Sequence, residues 1–533
     1  MDHLLMISLG PVQDFIASAR RTRDLYAGSQ LLSMAAGAAA EWIGQEVGFG
    51  CLIFPAAHDA SELERMGRVG VPNVVLAQVP GDPRNVAEGA VAAARDLLRV
   101  RAEELFEPLS AYIHRDVALQ QVDDLLEAYW VAAPLRDSYA EALERVQTLL
   151  RARKATRDFR PVPWGSDAPK SSLDGARESV FRDGDASALP LSLRLRLGWR
   201  PGEALSGVDL LKRLWAERQR FASTAELAAR PFLAGLGERQ RGELFEQLRR
   251  LAEHHGLRDA HGRVADPEEH PHLLFPSRWR DFMLDREPAA CAAAVRNARA
   301  AYRRLGLREP SPYYAVLVAD GDRMGATIDR LAREEGVAGQ RRLSRELVAF
   351  AEWTSAEVAR REGSLVYSGG DDVLALLPLH TALECAASLS AEFACRMEPF
   401  ASEQGGPTLS VGIAIVHFLE PLQDALALAR EAERMAKNAA GRNALALTVS
   451  PRSGSAVSVC GSWAETPPLH ERLKRYVERF LEDAIPDGAA FQLDLAARIL
   501  GDEPEAALVE GRRIITRKDV VPEVRVELER DLL

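Results

Sequence analysis

Little in this sequence suits a strand-coating protein, a membrane span or a cysteine-built centre. The 533 residues carry a formal net charge of −11, whereas a free-standing DNA- or RNA-coating protein would be basic. That balance still admits a nucleic-acid machine whose other subunits hold the strand. The five cysteines (Cys51, Cys291, Cys385, Cys395 and Cys460) form no CxxC pair and are odd in number. They suit reduced thiols in a cytosol and give no cysteine zinc site. No window approaches the ~20 apolar residues that span a bilayer. The opening MDHLLMISLGPVQDF is too short in apolar length and too acid-flanked for a signal peptide. The expected setting is soluble and cytoplasmic, with no membrane partner. His58-Asp59 is the only His-Asp dipeptide, and a metal nuclease needs several such side chains converging.

What is present is a folded composition, 47% hydrophobic and 27% charged, at a length that implies two to four domains. Strands are expected at Leu4–Leu9, Cys51–Phe54 and residues 73–80, with helix over 14–48. Residues 86–153, rich in Ala, Leu, Glu and Arg, read as mostly helical. A Pro/Gly/Ser-punctuated stretch at 159–175 marks a boundary. Helix returns at 208–256 and 286–305 on either side of a broken stretch at 266–280. From residue 313 the pattern is strand (313–325), helix (339–361), hairpin (364–377), helix (about 380–400), strand (408–417), helix (421–438) and strand (444–450). The helix 421–438 carries Leu422, Ala425, Leu426, Ala429 and Ala432 at one-face spacing. The order β–α–β–β–α–β is that of a ferredoxin-like fold. Residues 450–458 read as a linker and the remainder as helical. The expected class is α+β, with domains at 1–155, 156–306, 307–450 and 451–533.

The hairpin carries the chemistry. In EGSLVYSGGDDVLALLP (362–378), two glycines and two adjacent carboxylates separate two apolar runs. A turn needs glycine, but it has no need of Asp371 beside Asp372. Like charges that close raise each other's pKa unless a cation or a donor neutralises them. In a ferredoxin-like unit the first strand neighbours the hairpin, so Asp320 is expected beside the pair. Converging carboxylates are oxygen ligands for Mg²⁺ or Mn²⁺. Two such ions would activate an attacking hydroxyl and stabilise a leaving pyrophosphate, with Gly369 and Gly370 letting a triphosphate approach the backbone. Asp322 reads either as a helix cap or as a further ligand. Lys437 reads either as a phosphate contact or as a cation complementing its helix dipole.

The halves also compare. CLIFPAAHDA (51–60) can be laid on SLVYSGGDDV (364–373), and MISLGPV on VLVADGD, with Gly10 where Asp320 stands and His58 where Asp371 stands. Either the first half is a worn copy of the second, or short strands coincide.

GPVQDFIASARRTRDLYAGSQLLS (10–33), YYAVLVADGDRMG (313–325), VYSGGDDVLALLP (366–378), TLSVGIAIVH (408–417) and AERMAK (432–437) together resemble one family. It is the large, polymerase/cyclase-like subunit of type III CRISPR–Cas effector complexes, Cmr type. The resemblance spans residues 1 to about 450 and favours duplication: two palm domains, the first degenerate and the second active. It implies synthesis of cyclic oligoadenylates from ATP when target RNA binds. Asp320, Asp371 and Asp372 would hold two metal ions, and Ser368, Gly369, Gly370, Gly321 and Lys437 would line the nucleotide. Other complex subunits, guide RNA and target RNA are the implied partners.

Many relatives begin with a histidine–aspartate nuclease domain, whereas here the first palm motif starts at once, so metal-dependent DNA cleavage is not expected. PKSSLDGARE (169–178) stands where relatives carry zinc-binding cysteines, and with Ser172 and Asp174 there zinc is unlikely. His254, His255, His261, His270 and His272 read as loop histidines or as a substitute metal site. Arg20, Arg21 and Arg23 form a basic patch that would meet a nucleotide, a partner or solvent. The competing readings are a stand-alone nucleotide cyclase and a non-catalytic scaffold subunit.

Overall fold

The computed structural model describes the chain apart from residues 137, 157–161, 163, 191–192, 195–198, 200–201, 218–220, 260–261, 284–286, 404, 519 and 532–533. It divides into two units, Met1–Cys460 and Gly461–Leu533.

The first sheet of the larger unit is built from β1 (Asp2–Gly10), β2 (Leu52–Phe54), β3 (Val74–Pro80) and β4 (Glu127–Pro134), in the order β2-β3-β1-β4. β1 runs antiparallel to both β3 and β4. Leu5, Ile7 and Leu9 enter one apolar cluster, and Leu4 and Met6 the other. An unbroken apolar run is what a strand covered on both faces requires. The Ala-rich helix Thr22–Val47 lays Ala35, Ala36, Ala39 and Ala40, all fully buried, into the larger cluster.

The second sheet contains β5 (Tyr313–Asp322), β6 (Ser364–Ser368), β7 (Val373–Leu377), β8 (Thr408–His417), β9 (Ala444–Ser450) and β10 (Val457–Ser462). Its order is β10-β9-β8-β5-β7-β6. The block β8-β5-β7-β6 repeats β4-β1-β3-β2, so both sheets are ferredoxin-like and the α+β expectation holds. Helix Leu422–Asn438 crosses over between β8 and the parallel β9. Its expected apolar face is buried throughout, at Leu422, Ala425, Leu426, Ala429 and Ala432.

Three local expectations are corrected. β4 interrupts the stretch 86–153 expected to be mostly helical, because its strand pairing to β1 outweighs the helical composition around it. The presumed linker 450–458 runs into β10 at the sheet edge. The helix expected at 339–361 is Gly336–Arg360, preceded by a separate helix Met324–Glu334.

The two sheets meet through named contacts. Ser344 Oγ accepts from the Ala56 amide at 2.9 Å, and Arg341 Nε donates to the Leu52 carbonyl at 2.9 Å. Gly70 presses against Ser368: a Cβ there would lie 2.5 Å from the Ser368 carbonyl oxygen. The smaller unit consists of helices Leu469–Leu481, Asp487–Leu500, Pro504–Arg517 and Pro522–Asp531 around a core that includes Ile485, Ile515 and Val524.

Candidate active site

β6 and β7 are joined by the turn Gly369–Asp372, closed by the Gly369 amide donating to the Asp372 carbonyl at 2.9 Å. Gly370 has φ +110 with Leu347 against it, a backbone that glycine adopts without strain. Asp371 packs against Gly321 of β5, where a Cβ would lie 2.7 Å from Asp371 Cβ. Gly321, read from sequence as a nucleotide contact, is therefore the seat of the first hairpin carboxylate. Ser368 is fully buried and its hydroxyl has no hydrogen-bond partner.

β5 ends beside this turn, with Ala319 facing Val373 and Asp320 facing Ser410. Asp320 is partly exposed and pairs with the Lys437 ammonium, which also lies 2.9 Å from Glu433 Oε1. Helix 422–438 reaches this position because β8 carries glycine at 412, where a Cβ would sit 2.1 Å from the Glu433 nitrogen. Glu433 was not anticipated. Its spacing of four from Lys437 on one helix was the available signal.

Asp322 neither caps the following helix nor faces open space. It is 1% exposed and accepts from Thr408 Oγ1 at 2.8 Å, Ser410 Oγ at 2.9 Å and the Asn443 amide at 3.0 Å. The helix Met324–Glu334 starts instead from Arg323, at φ 62 and without a side-chain cap. Asp322 thus ties β5 to β8 and to the loop before β9.

The electrostatics are those of an anionic patch short of positive charge. Burial, then the neighbouring charge of Asp372, pushes the Asp371 carboxyl up to about 7. Burial raises Asp372 as well. Glu433 is pushed up to about 6 by burial, then by Asp372 and Asp322. Among the described residues no lysine or arginine pairs with Asp371 or Asp372, while Lys437 serves Asp320 and Glu433. Oxygen donors with excess negative charge fit a hard divalent cation. The oxygens of Asp320, Asp371 and Asp372 do not all lie within 4.8 Å of one another, and Asp320 is paired with Lys437. The single point of convergence expected from sequence is therefore not formed in this state.

The remaining candidates separate. His58 is exposed and Asp59 caps the helix Ala60–Val69 by accepting from the Glu62 amide at 2.9 Å. No hairpin exists there: a helix stands between β2 and β3. Strand register also shifts the presumed equivalence. Ser8 faces Val74 as Ala319 faces Val373, which puts Leu9, not Gly10, in the place of Asp320.

Arg20 is exposed, and Arg21 sits beside a buried ion cluster in which Arg213 bonds Asp24 at 2.7 Å and Glu203 at 3.0 Å. In the 169–178 loop, Ser172 Oγ accepts from the Ala204 amide at 3.1 Å and Asp174 Oδ1 from the Ala176 amide at 2.8 Å. Asp174 thus closes the loop on itself, while Ser172 ties it to the segment at Ala204. His254 and His255 meet edge to face at 4.8 Å, and His272 stacks on Phe282 at 4.8 Å. His261 lies outside the described residues. Asp259, Glu269 and His270 do gather within 4.8 Å, with Arg263 bonding both carboxylates at 2.9 Å.

The fold and these acids define an α+β protein with two ferredoxin-like palms, one of which carries an acidic hairpin site. Residues 313–446 match the family described as Cas10/Cmr2, second palm domain. Residues 4–107 match the family described as CRISPR-associated protein Cmr2, N-terminal. The CRISPR system Cmr subunit Cmr2 of Pyrococcus furiosus is 26% identical over 85% of this chain. The chain spans 62% of that relative's length. Among solved structures, a type III-B Cmr-beta complex bound to cognate target RNA has a chain that superposes at TM-score 0.65. That match has 14% identity and covers 100% of this chain and 78% of the other. A Csm1–Csm4 cassette in complex with cA4 gives TM-score 0.50 at 14% identity, covering 98% of this chain and 66% of the other. The chain is thus similar to Cas10/Cmr2 proteins across residues 4–107 and 313–446, one stretch in each palm.

Proposed function

We propose that this chain is the large subunit of a type III CRISPR effector complex and joins ATP units into cyclic oligoadenylates when the complex binds target RNA. The observation carrying this reading is the Asp371–Asp372 pair, held in a glycine turn beside Asp320 with no basic partner of its own among the described residues. In each step the 3′-hydroxyl oxygen of one nucleotide bonds to the α-phosphorus of the next, and the bond from that phosphorus to pyrophosphate breaks. Asp320, Asp371 and Asp372 would hold two Mg²⁺ or Mn²⁺ ions, which supply Lewis acidity at the attacking and leaving oxygens. Gly369 and Gly370 would admit the triphosphate to the turn backbone, with Ser368 and Gly321 shaping its floor. Lys437 would meet a phosphate.

The Cmr-beta neighbour was solved with target RNA and the Csm1–Csm4 neighbour with cA4, which supports the partner and product class. Partner subunits, guide RNA and a cytoplasmic setting belong to the same reading, and no helix among the described residues is long and apolar enough to cross a membrane. The test mixes the purified complex, target RNA, labelled ATP and Mg²⁺. Oligoadenylate that vanishes on replacing Asp371 and Asp372 with Asn supports the proposal. Product from the lone subunit without RNA would favour a stand-alone cyclase, and no product under any condition a scaffold.

A further inference from the structure

Five carboxylates crowd the end of β5 (Asp320 and Asp322), the hairpin turn (Asp371 and Asp372) and helix 422–438 (Glu433), and one lysine ammonium lies among them. Lys437 pairs with Asp320 and sits 2.9 Å from Glu433. Asp371 and Asp372 are left without a basic partner among the described residues. We propose that Lys437 is a resident counter-ion: it occupies Asp320 until a divalent cation arrives, then moves onto Glu433 as the cation takes Asp320. The inference rests on the metal-and-triphosphate reading above.

The geometry supplies both ends of the exchange. Asp320 is the one proposed ligand already neutralised, and its pairing with Lys437 accompanies the failure of the three acids to close on one point. An ammonium and a divalent cation on one carboxylate repel, so occupancy by one opposes the other. Glu433, four residues earlier on the same helix, gives the ammonium a second acceptor, so it can leave Asp320 without being stranded unpaired. Gly412 fixes that helix turn against β8, so the lysine side chain can swing while its backbone stays in place. Glu433 is thus a positioning residue, acting through Lys437.

The test is Mn²⁺ binding to the full chain without nucleotide, followed by electron paramagnetic resonance of the free ion. Lys437→Met is expected to tighten Mn²⁺ about fivefold or more, since the competitor is gone. Lys437→Arg keeps a competing charge and stays near wild type. Glu433→Gln is expected to weaken Mn²⁺ about threefold, because the ammonium then has only Asp320. Adding Lys437→Met to Glu433→Gln restores the Lys437→Met affinity.

Arg442→Gln is the field control, because Arg442 lies 3.9 Å from buried Asp322 rather than on Asp320. It is expected to change affinity less than about twofold. Unchanged or weaker binding in Lys437→Met, equal tightening by Arg442→Gln, or a double variant weaker than Lys437→Met would each overturn the exchange. Binding that ignores Asp371→Asn with Asp372→Asn would instead sink the metal reading, and the exchange with it.

Discussion

The two sheets share one strand order and differ at the corresponding corner of each. In the second, β6 returns into β7 through the turn Gly369–Asp372, and β5 ends in Asp320, Gly321 and Asp322. In the first, β2 reaches β3 only after the helix Ala60–Val69, and β1 ends in Leu9 and Gly10. The hollow at that end of β1, about 240 Å³, is lined by Ser8, Gly10, Asn73, Glu127 and Lys154. It has one carboxylate, and that comes from β4. A ferredoxin-like frame thus does not itself create an acidic site. The tight glycine turn does, by holding two carboxylates against the neighbouring strand. The first sheet's contribution is mechanical, because its Gly70 turn abuts the backbone of Ser368.

Replacing Asp371 and Asp372 with Asn should erase the contrast between the sheets. Oligoadenylate synthesis is expected to fall by roughly 1000-fold or more, since metal-ion stabilisation is worth several kcal/mol. Retained synthesis would move the chemistry elsewhere. Gly412→Val attacks the placement of Glu433 and Lys437 through backbone that cannot yield, with Ala429 O 2.6 Å from the new Cβ. A loss of roughly 100-fold and about 2–3 kcal/mol of stability is expected. Gly70→Ala tests the first sheet's mechanical role, at φ +149 and against Ser368. About a tenfold loss of synthesis, with about 1–2 kcal/mol of stability, is expected; unaltered synthesis would uncouple the sheets.

A pH experiment sharpens the comparison further. Asp371 is pushed up to about 7 in the fold, against about 3.9 in an unfolded chain. A raised carboxyl favours its proton in the fold, so its stabilising contribution is intact below the unfolded value and is lost as pH rises through the folded one. Asp371→Asn should match wild type near pH 4 and be about 1–2 kcal/mol more stable near pH 8, by chemical denaturation without metal. An equal difference at both values would contradict the assigned burial. The smallest effect is expected from His58→Ala, because that side chain is exposed and lies in no hairpin. Synthesis should stay within about twofold.

Much of the second sheet was legible because its signals are local. The apolar runs of β5 and β8, the glycine turn and the one-sided face of helix 422–438 each declare themselves within a few residues. What was missed depends on distant pairing. β4 lies in an Ala- and Leu-rich surrounding and is a strand because β1 needs a second neighbour. Asp322 is structural because Thr408 and Ser410, far along the chain, donate to it. The matching of His58 with Asp371 failed for a local reason: DASE at 59–62 is a helix-start pattern, and a helix follows. Glu433 escaped because a Glu–Lys pair four apart is ordinary on helices. Only the fold brings Asp320 to it.

The most direct measurement is an anomalous difference map from crystals of the chain soaked with Mn²⁺ and a non-hydrolysable ATP analogue. Metal density is expected between the Asp371–Asp372 turn and Asp320, with the triphosphate along Gly369 and Gly370. Density at the end of β1, or only at Asp259, Glu269 and His270, would contradict it.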